Sequence, residues 1–316
     1  MIRLILLFVV FVNLPLFAVS VRAAEPGGSA LYLIDAHSQA DSEKVLKRVI
    51  SLMDRAGVRR TLLSARGHLQ SDAIVKFAQQ HPDRITASVR TKGGAFRGNS
   101  EKYYKALKRS VESGKFGAIA ELLLYHAQKG DKAPEIAVYP DDKRVQTALA
   151  YAKKEGWPLV VHIEFASLSG KQKARYMEQL EAMLAQNPDH PFVLIHMGQL
   201  RSGEVQRLMA SHNNVYFMTS HTNPVAIRES RQPWTPMFKG DVLAPEWKKL
   251  VIQYPDRFVL AFDNVWPNHW GVYYLQEARY WKTALADLPR EVARAVAHEN
   301  AERLWNLPRS QAGRKE

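Results

Sequence analysis

Four apolar, strand-like runs in this chain each end on or beside a side chain that can bind a metal ion. The runs are 31–37, 158–162, 192–196 and 258–263, and they end at His37, His162, His196 and Asp263. A parallel barrel gathers the carboxyl ends of its strands on one face, so residues far apart in sequence can meet there. Three imidazoles and one carboxylate meeting in this way are typical of a hydrolytic metal site.

The same alternation of strand and helix continues along the chain. Near-continuous apolar runs, typical of strands covered on both faces, alternate with longer segments of helical periodicity such as 41–57. The predicted strands are 31–37, 59–65, 84–90, 117–124, 158–164, 192–198, 215–220 and 258–264. Eight strand–helix units predict an α/β fold, a single (β/α)8 TIM barrel over residues 25–308, with its active site at the C-terminal face of the strands.

Two long segments, 125–140 and 221–244, follow the fourth and seventh predicted strands. Both contain proline, glycine, aromatic and charged residues without a periodic run. Loops in this position lie on the face where barrels hold their active sites. We therefore expect these loops to form the walls of the substrate site.

The first residues have the layout of a secretory signal. Residues 1–24 contain an early charge at Arg3, an apolar stretch over 4–17 and a small-residue end. The interrupted apolar stretch is shorter than the ~20 residues of a spanning helix. The pattern predicts a cleaved signal peptide, a periplasmic or secreted protein, and no stable membrane anchor after cleavage. The polar tail, 309–316, is expected to be flexible.

The composition excludes several kinds of site. The chain has no cysteine, so its metal ligands must be nitrogen and oxygen atoms. The formal net charge is +13, but the basic residues are dispersed over amphipathic helices, so nucleic acid is not expected as a partner. A small-molecule substrate is the expected partner, and the sequence leaves homo-oligomer formation open. Nucleotide-binding loops and a G-x-S-x-G serine elbow are both absent from the sequence.

Strand periodicity places further polar groups around the predicted metal site. Gln39 lies two positions after His37 and should face the same centre, whereas Asp35 should lie one layer deeper and orient a neighbouring imidazole. Asp263 should lie close to the first strand because a barrel brings its last strand beside its first. Its carboxylate could bind the metal, accept a proton from metal-bound water, or do both.

Glu121 places a carboxylate inside the otherwise apolar fourth strand. Burial of such a group is costly unless it is paired or bound to metal. We interpret Glu121 as a metal ligand, with a salt bridge to a buried arginine or lysine as the alternative.

The remaining histidines fall into two groups. Those in or beside helices, which we expect to be solvated, are His81, His190, His212 and His298. Those that follow predicted strands on the catalytic side are His68, His126, His221 and His269, of which His126 and His221 are the stronger candidates for substrate binding. Arg66 and Arg90 follow the second and third strands, and either could fix a substrate carboxylate.

These features together resemble the amidohydrolase superfamily, in particular its metal-dependent, TIM-barrel amidohydrolase-related branch. The similar segments are LIDAH at 33–37, GAIAE at 117–121, GWPLVVH at 156–162, IHMG at 195–198, Asp263, and HENAERLW at 298–305. The resemblance implies a hydrolase or decarboxylase with one or two divalent metal ions. It also implies that the strand-eight aspartate is the general acid/base and that the histidines of strands one, five and six surround the metal.

The sequence departs from this family at one position. The strand-one signature of the family is His-x-His, and Gln39 stands at the second histidine. An amide oxygen is a poorer ligand than imidazole for a metal such as Zn²⁺. The site could therefore be weakened or mononuclear, could recruit a substrate oxygen beside Gln39, or could have lost catalysis and kept binding.

We expect an active enzyme that binds one ion, Zn²⁺ or alternatively Mn²⁺. The ligands would come from a set that exceeds the three a catalytic zinc needs, namely His37, Glu121, His162, His196 and Asp263. The predicted reaction is hydrolysis of a C–N, ester or lactone bond in a small, carbonyl-type substrate that could be anionic. A metal-dependent decarboxylase and a non-catalytic binding barrel remain the alternatives.

Overall fold

A computed structural model describes residues 31–129 and 134–308. The predicted signal peptide, 1–24, and the predicted tail, 309–316, lie outside the described residues. Within the described ranges, no helix combines the length and apolar character required to cross a bilayer.

Parallel strands form the centre of the fold. One sheet has the order β1-β2-β3-β4, and its strands are Leu33–Ala40, Val58–Ala65, Ile85–Val89 and Ala118–Ile119. The other has the order β12-β9-β8-β7-β5-β6, and its strands in chain order are β5 Leu122–His126, β6 Ile136–Ala137, β7 Leu159–Ile163, β8 Phe192–Leu194, β9 Val215–Met218 and β12 Phe258–Val259. Only β6 runs antiparallel to its neighbour in these two sheets.

The two sheets are connected at both of their junctions. The predicted fourth strand is divided into β4 and β5, with Ala120 and Glu121 between them. At the other junction, the Ala36 amide donates to the Leu260 carbonyl at 3.0 Å, and the Gln39 amide donates to the Asn264 carbonyl at 2.8 Å. The result is an α/β fold with a curled parallel sheet, which confirms the predicted fold class.

Helices follow the strands and cover the sheet. They are α1 Glu43–Ala56, α2 Ser71–Gln80, α3 Gly94–Arg97, α4 Glu101–Glu112, α5 Lys143–Glu155, α6 Gly170–Gln186, α7 Ser202–Ser211, α8 Pro224–Glu229, α9 Pro245–Gln253, α10 Tyr274–Ala286, α11 Arg290–Arg294 and α12 Asn300–Leu304. Helix α1 buries Val45, Val49 and Met53 at helical spacing and ends at Gly57. Gly57 has φ +64°, a left-handed conformation in which glycine avoids Cβ strain.

The apolar core has two layers, one between sheet and helices and one inside the curl of the sheet. Ile34, Val160 and Val193 belong to the inner layer, which also includes Leu304 and Trp305 of the C-terminal segment. The Asn300 carboxamide donates to the carbonyl oxygens of Pro255 and Phe258, both at 2.8 Å. Helix α12 therefore lies at the amino ends of the strands and covers the base of the inner core.

Both long segments contain short regular elements, although neither has a periodic run in the sequence. Segment 125–140 includes β6, which pairs with β5. Segment 221–244 includes α8 and an antiparallel hairpin of β10 Phe238–Lys239 and β11 Val242–Leu243. Asn223 caps α8 by accepting hydrogen bonds from the amides of Val225 and Ala226. These elements are too short to produce a periodic run in the sequence.

Two histidines that were expected to be solvated are buried. The His190 ring packs edge-on against Phe192, with ring centroids 5.1 Å apart. The His298 ring stacks on Tyr32 with a centroid separation of 3.9 Å. In both cases an aromatic ring covers the imidazole and shields it from solvent. The position of these histidines in the sequence, in or beside helices, does not predict that contact.

Candidate metal centre

The carboxyl ends of the strands bring the predicted ligands together. Asp263 lies at the centre, with His37 Nε2 3.4 Å from its Oδ1 and His196 Nε2 3.4 Å from its Oδ2. Glu121 Oε1 lies 3.7 Å from His37 Nε2, and Glu121 Oε2 lies 2.6 Å from His162 Nδ1. All five side chains are buried.

The backbone at Asp263 is held in an unusual conformation by the first strand. Asp263 has φ +55°, and its amide donates to the His37 carbonyl at 2.7 Å. The Phe262 amide donates to Asp35 Oδ1 at 2.9 Å, and the Asn264 amide donates to Ser38 Oγ at 3.1 Å. The amides of both residues beside Asp263 are therefore bound by side chains of β1.

Asp35 has a different role from the one predicted. It accepts hydrogen bonds from Ser38 Oγ at 2.5 Å and from two backbone amides, rather than orienting an imidazole. The reason is a shift in strand register between Asp35 and Ser38, after which the alternation of faces no longer follows the sequence. Ile34 and Ala36 face the inner core instead. Burial raises the pKa of the Asp35 carboxyl to about 7.

Gln39 and Lys92 supply N–H donors to the carboxylates on one side of the site. Gln39 Nε2 donates to Asp263 Oδ1 at 2.8 Å and to Glu121 Oε1 at 3.1 Å. The Lys92 ammonium also donates to Glu121 Oε1. Burial raises the pKa of Glu121, but Lys92 and His162 outweigh it and hold that pKa well below its ordinary value. Glu121 thus pairs with a lysine, as the alternative predicted, and its contacts with two imidazoles keep it a candidate metal ligand.

His162 lies between two carboxylates. Its Nδ1 contacts Glu121 and its Nε2 lies 3.2 Å from Glu164 Oε1. Burial lowers the pKa of His162, but the two carboxylates outweigh it and raise that pKa. Glu164 also accepts from Lys129 Nζ at 2.6 Å. Sequence reasoning did not assign Glu164 a role, although its position two residues after His162 places it on the same face of the strand.

His196 is oriented by Ser220. Its Nδ1 lies 2.9 Å from Ser220 Oγ and 3.3 Å from the Ser220 carbonyl oxygen. A proton on Nδ1, donated to that carbonyl, leaves Nε2 free to bind a metal. Burial lowers the pKa of His196 well below its ordinary value, so the ring is neutral. The strand predicted through residue 198 ends at Leu194, because residues 196–198 have left-handed φ angles.

His221, a predicted substrate contact, lies against the same carboxylate. One ligand atom each of His196, His221 and Asp263 lies within 4.8 Å of the other two. His221 is 7 % exposed and has φ +60°. Burial lowers its pKa to about 4, so the imidazole is neutral. The Trp234 ring packs on His196 and His221, with centroid separations of 4.7 Å in both cases.

The other predicted substrate contacts lie around the rim. His126 is half-buried beside His162, with ring centroids 5.4 Å apart. Arg66 stacks on Trp266 at 3.8 Å and donates to the Val265 carbonyl at 3.2 Å. Arg90 donates to the carbonyl oxygens of Lys92 and Gly67 at 3.1 and 3.0 Å. Arg90 thus supports the segment that carries Lys92, and its guanidinium is largely occupied by backbone.

The donor atoms fit a divalent cation. Tetrahedral coordination with bond lengths near 2.1 Å places donor atoms roughly 3.4 Å apart. Two imidazole nitrogens lie at 3.4 Å from the Asp263 oxygens, and the mixed nitrogen and oxygen set suits a borderline metal such as Zn²⁺. His221 Nδ1 is buried and has no hydrogen-bond partner among the described residues. A cation would satisfy such a nitrogen.

Comparison with known proteins agrees with this architecture. A family model described as Amidohydrolase matches residues 40–307. No curated protein matches the chain.

Several solved structures share the fold. A probable 2-pyrone-4,6-dicarboxylic acid hydrolase from Acinetobacter baumannii, with citric acid bound, has a TM-score of 0.53 and 16% identity, over 87% of this chain and 99% of that one. An amidohydrolase from Burkholderia multivorans has a TM-score of 0.52 and 15% identity, over 88% and 100%. Dihydroorotase from Campylobacter jejuni has a TM-score of 0.52 and 10% identity, over 89% and 85%. At these identities the likeness concerns the fold.

Proposed function

The chain belongs to the amidohydrolase family, and we propose that it is a hydrolase that uses one divalent cation, Zn²⁺ or Mn²⁺. The observation that carries this proposal is the position of Asp263, a buried carboxylate 3.4 Å from an imidazole nitrogen on either side. The bond cleaved would be a C–N, ester or lactone bond in a small, anionic, carbonyl-type substrate.

The chain's own residues would hold the cation and move the proton. Asp263 and His196 would bind the ion, with further ligands from the groups around them, His37, Glu121 and His162. When bound, a divalent cation lowers the pKa of a water ligand and polarises a carbonyl oxygen. Burial raises the pKa of Asp263, but its contacts with His37 and His196 outweigh that effect, and the pKa lies below its ordinary value. Asp263 is therefore ionised at neutral pH, can accept a proton from the attacking water, and can return it to the leaving group.

Cations at the rim support an anionic substrate. The side chains of Lys92 and Lys129 are 22% and 23% exposed, so each is partly open to solvent while its ammonium group contacts a buried glutamate. Lys129 also lies over the Trp234 ring, 4.9 Å from its centroid. A substrate carboxylate that enters between these two loops would meet one positive charge on each side.

Metal analysis and substitution test this proposal. Protein purified without chelator should contain one Zn²⁺ or Mn²⁺ per chain, and that metal should raise its unfolding temperature. His196→Ala and Asp263→Ala should abolish hydrolysis of lactone, ester and amide substrates while the circular dichroism spectrum is unchanged. His81→Ala, outside the site, serves as the control.

The contrary outcomes are distinct. Full activity in either site variant would disprove the mechanism. Absence of bound metal and of any metal-dependent shift in unfolding temperature would favour a non-catalytic binding barrel. Release of carbon dioxide from the substrate would identify a decarboxylase.

We also propose that the protein is exported, because residues 1–24 have the layout of a signal peptide. N-terminal sequencing of the protein from a periplasmic or culture fraction should begin at residue 24 or 25. An intact N-terminus in the cytoplasmic fraction would contradict export.

A further inference from the structure

We propose that the cation is bound by His196, His221 and Asp263, with His221 as the ligand that compensates for Gln39 in the first strand. This inference rests on the proposed function, since it names which residues hold the ion. It gives His221 a role that the resemblance to the amidohydrolases does not imply.

The first argument is geometric. One ring nitrogen of each histidine and one Asp263 oxygen lie mutually within 4.8 Å, and all three residues are buried. Ser220 contacts His196 Nδ1 and thereby directs Nε2 towards Asp263 Oδ2, 3.4 Å away. His221 directly follows Ser220, so one short segment after β9 both orients one ligand and supplies another.

The second argument comes from the backbone. Left-handed φ angles strain a non-glycine residue, and they concentrate at functional sites. Seven non-glycine residues of the described chain have positive φ angles, and His196, His221 and Asp263 are three of them, at +56°, +60° and +55°. His37 and His162 have no such strain. The strained residues therefore coincide with one candidate triad and not with the others.

The third argument is electrostatic. On the strand-one side, the Gln39 amide donates to Asp263 Oδ1 and Glu121 Oε1, and the Lys92 ammonium donates to the same Glu121 oxygen. A second positive charge at that position would be repelled by Lys92. Asp263 Oδ2, in contrast, faces His196 Nε2, which carries no proton and has a free lone pair when Nδ1 is protonated. The carboxylate is thus prepared to receive a cation on its His196 and His221 side.

The fourth argument concerns the His221 ring itself. Its Nδ1 is buried without a hydrogen-bond partner in the described part of the chain. Trp234 packs against both His221 and His196 and limits the movement of either ring. A rigid imidazole with an unsatisfied nitrogen beside a carboxylate is suited to bind a metal ion.

The test compares zinc affinity among histidine variants. His221→Ala and His221→Asn should weaken zinc binding, measured by chelator competition, by more than the roughly 10–100-fold loss typical of groups outside the ligand set. His126→Ala, a matched rim histidine in a neighbouring cluster, should leave zinc affinity within about threefold of wild type, and His37→Ala should retain one ion per chain. The Co²⁺-loaded His221 variants should also lose the visible absorption bands of the wild type.

A zinc-loaded crystal of the wild type makes the test independent of how the variants fold. The anomalous peak should lie within bonding distance of His196, His221 and Asp263. Unchanged zinc affinity in both His221 variants, or a peak bonded to His37 and Glu121 instead, would overturn the inference and leave the proposed hydrolase intact. Failure of the wild type to bind any metal would instead refute the proposed function.

Discussion

The Ser38 hydroxyl links the first strand to the backbone of Asp263, and its removal is a sensitive test of the site. Ser38 is fully buried, donates to Asp35 Oδ2 at 2.5 Å and accepts from the Asn264 amide at 3.1 Å. Ser38→Ala would leave the buried Asn264 amide without its partner and would take one hydrogen bond from Asp35. Asp263, which has a left-handed φ angle, would then lose one of the hydrogen bonds that hold its backbone in place.

The magnitude follows from these two contacts. Each buried polar group left unpaired costs about 1–3 kcal/mol, so Ser38→Ala should lower the free energy of unfolding by roughly 2–4 kcal/mol. At about 2–4 °C per kcal/mol, the unfolding temperature should fall by roughly 5–15 °C. Turnover should fall further than stability alone explains, because the Asp263 carboxylate must hold its position between His37 and His196.

Urea unfolding and steady-state kinetics, both at a temperature where the variant is folded, provide the measurement. Ser88→Ala is the matched control, because Ser88 is also a buried serine of a central strand. Its hydroxyl makes no side-chain hydrogen bond within the described ranges. Equal stability and equal kcat in the two variants would refute the proposed restraint on Asp263.

Three further substitutions test other parts of the structure. Burial raises the pKa of Glu277 well above its ordinary value. The folded protein therefore keeps a proton that the unfolded chain releases above about pH 4.5. The free energy of unfolding should then fall as the pH rises above that value. Glu277→Gln should match wild type at pH 4 and exceed it at pH 8 in urea unfolding, and equal pH profiles would contradict this. Gly198→Ala places a Cβ 3.1 Å from Leu194 Cδ2 at φ +63°, so it should lower the free energy of unfolding by about 1–2 kcal/mol. Gly170→Ala has open space around its Cβ and should leave the free energy of unfolding unchanged. Leu304→Ala removes part of the inner core and should lower the free energy of unfolding by about 2–5 kcal/mol. Substitution of the exposed Ile252 by alanine should change it little, and similar losses in both variants would argue against the covering role of α12.

Much of the architecture could be predicted from the sequence, because strands buried on both faces leave continuous apolar runs. The convergence of His37, His162 and His196 could also be predicted, because parallel strands place their carboxyl ends at the same edge of the sheet. The short elements of the two long segments could not be predicted, since two-residue strands such as β6 have no period to detect.

Side-chain direction near the strand ends was the harder problem. The simple alternation of faces fails where the register shifts between Asp35 and Ser38. Left-handed φ angles at His196 and His221 likewise depend on packing across the site and not on local propensity. His221 therefore appeared in the sequence as one loop histidine among several, and only its position beside Asp263 distinguishes it.

The position of α12 determines when the inner core can be completed. Leu304, Trp305 and Leu307 are among the last described residues, yet they cover the base of a core that begins at Ile34. During synthesis the ribosome exit tunnel would still hold these residues after every strand has emerged. The nascent chain must therefore expose apolar strand ends until residues 304–307 have left the tunnel, and a chain without these residues would keep them exposed.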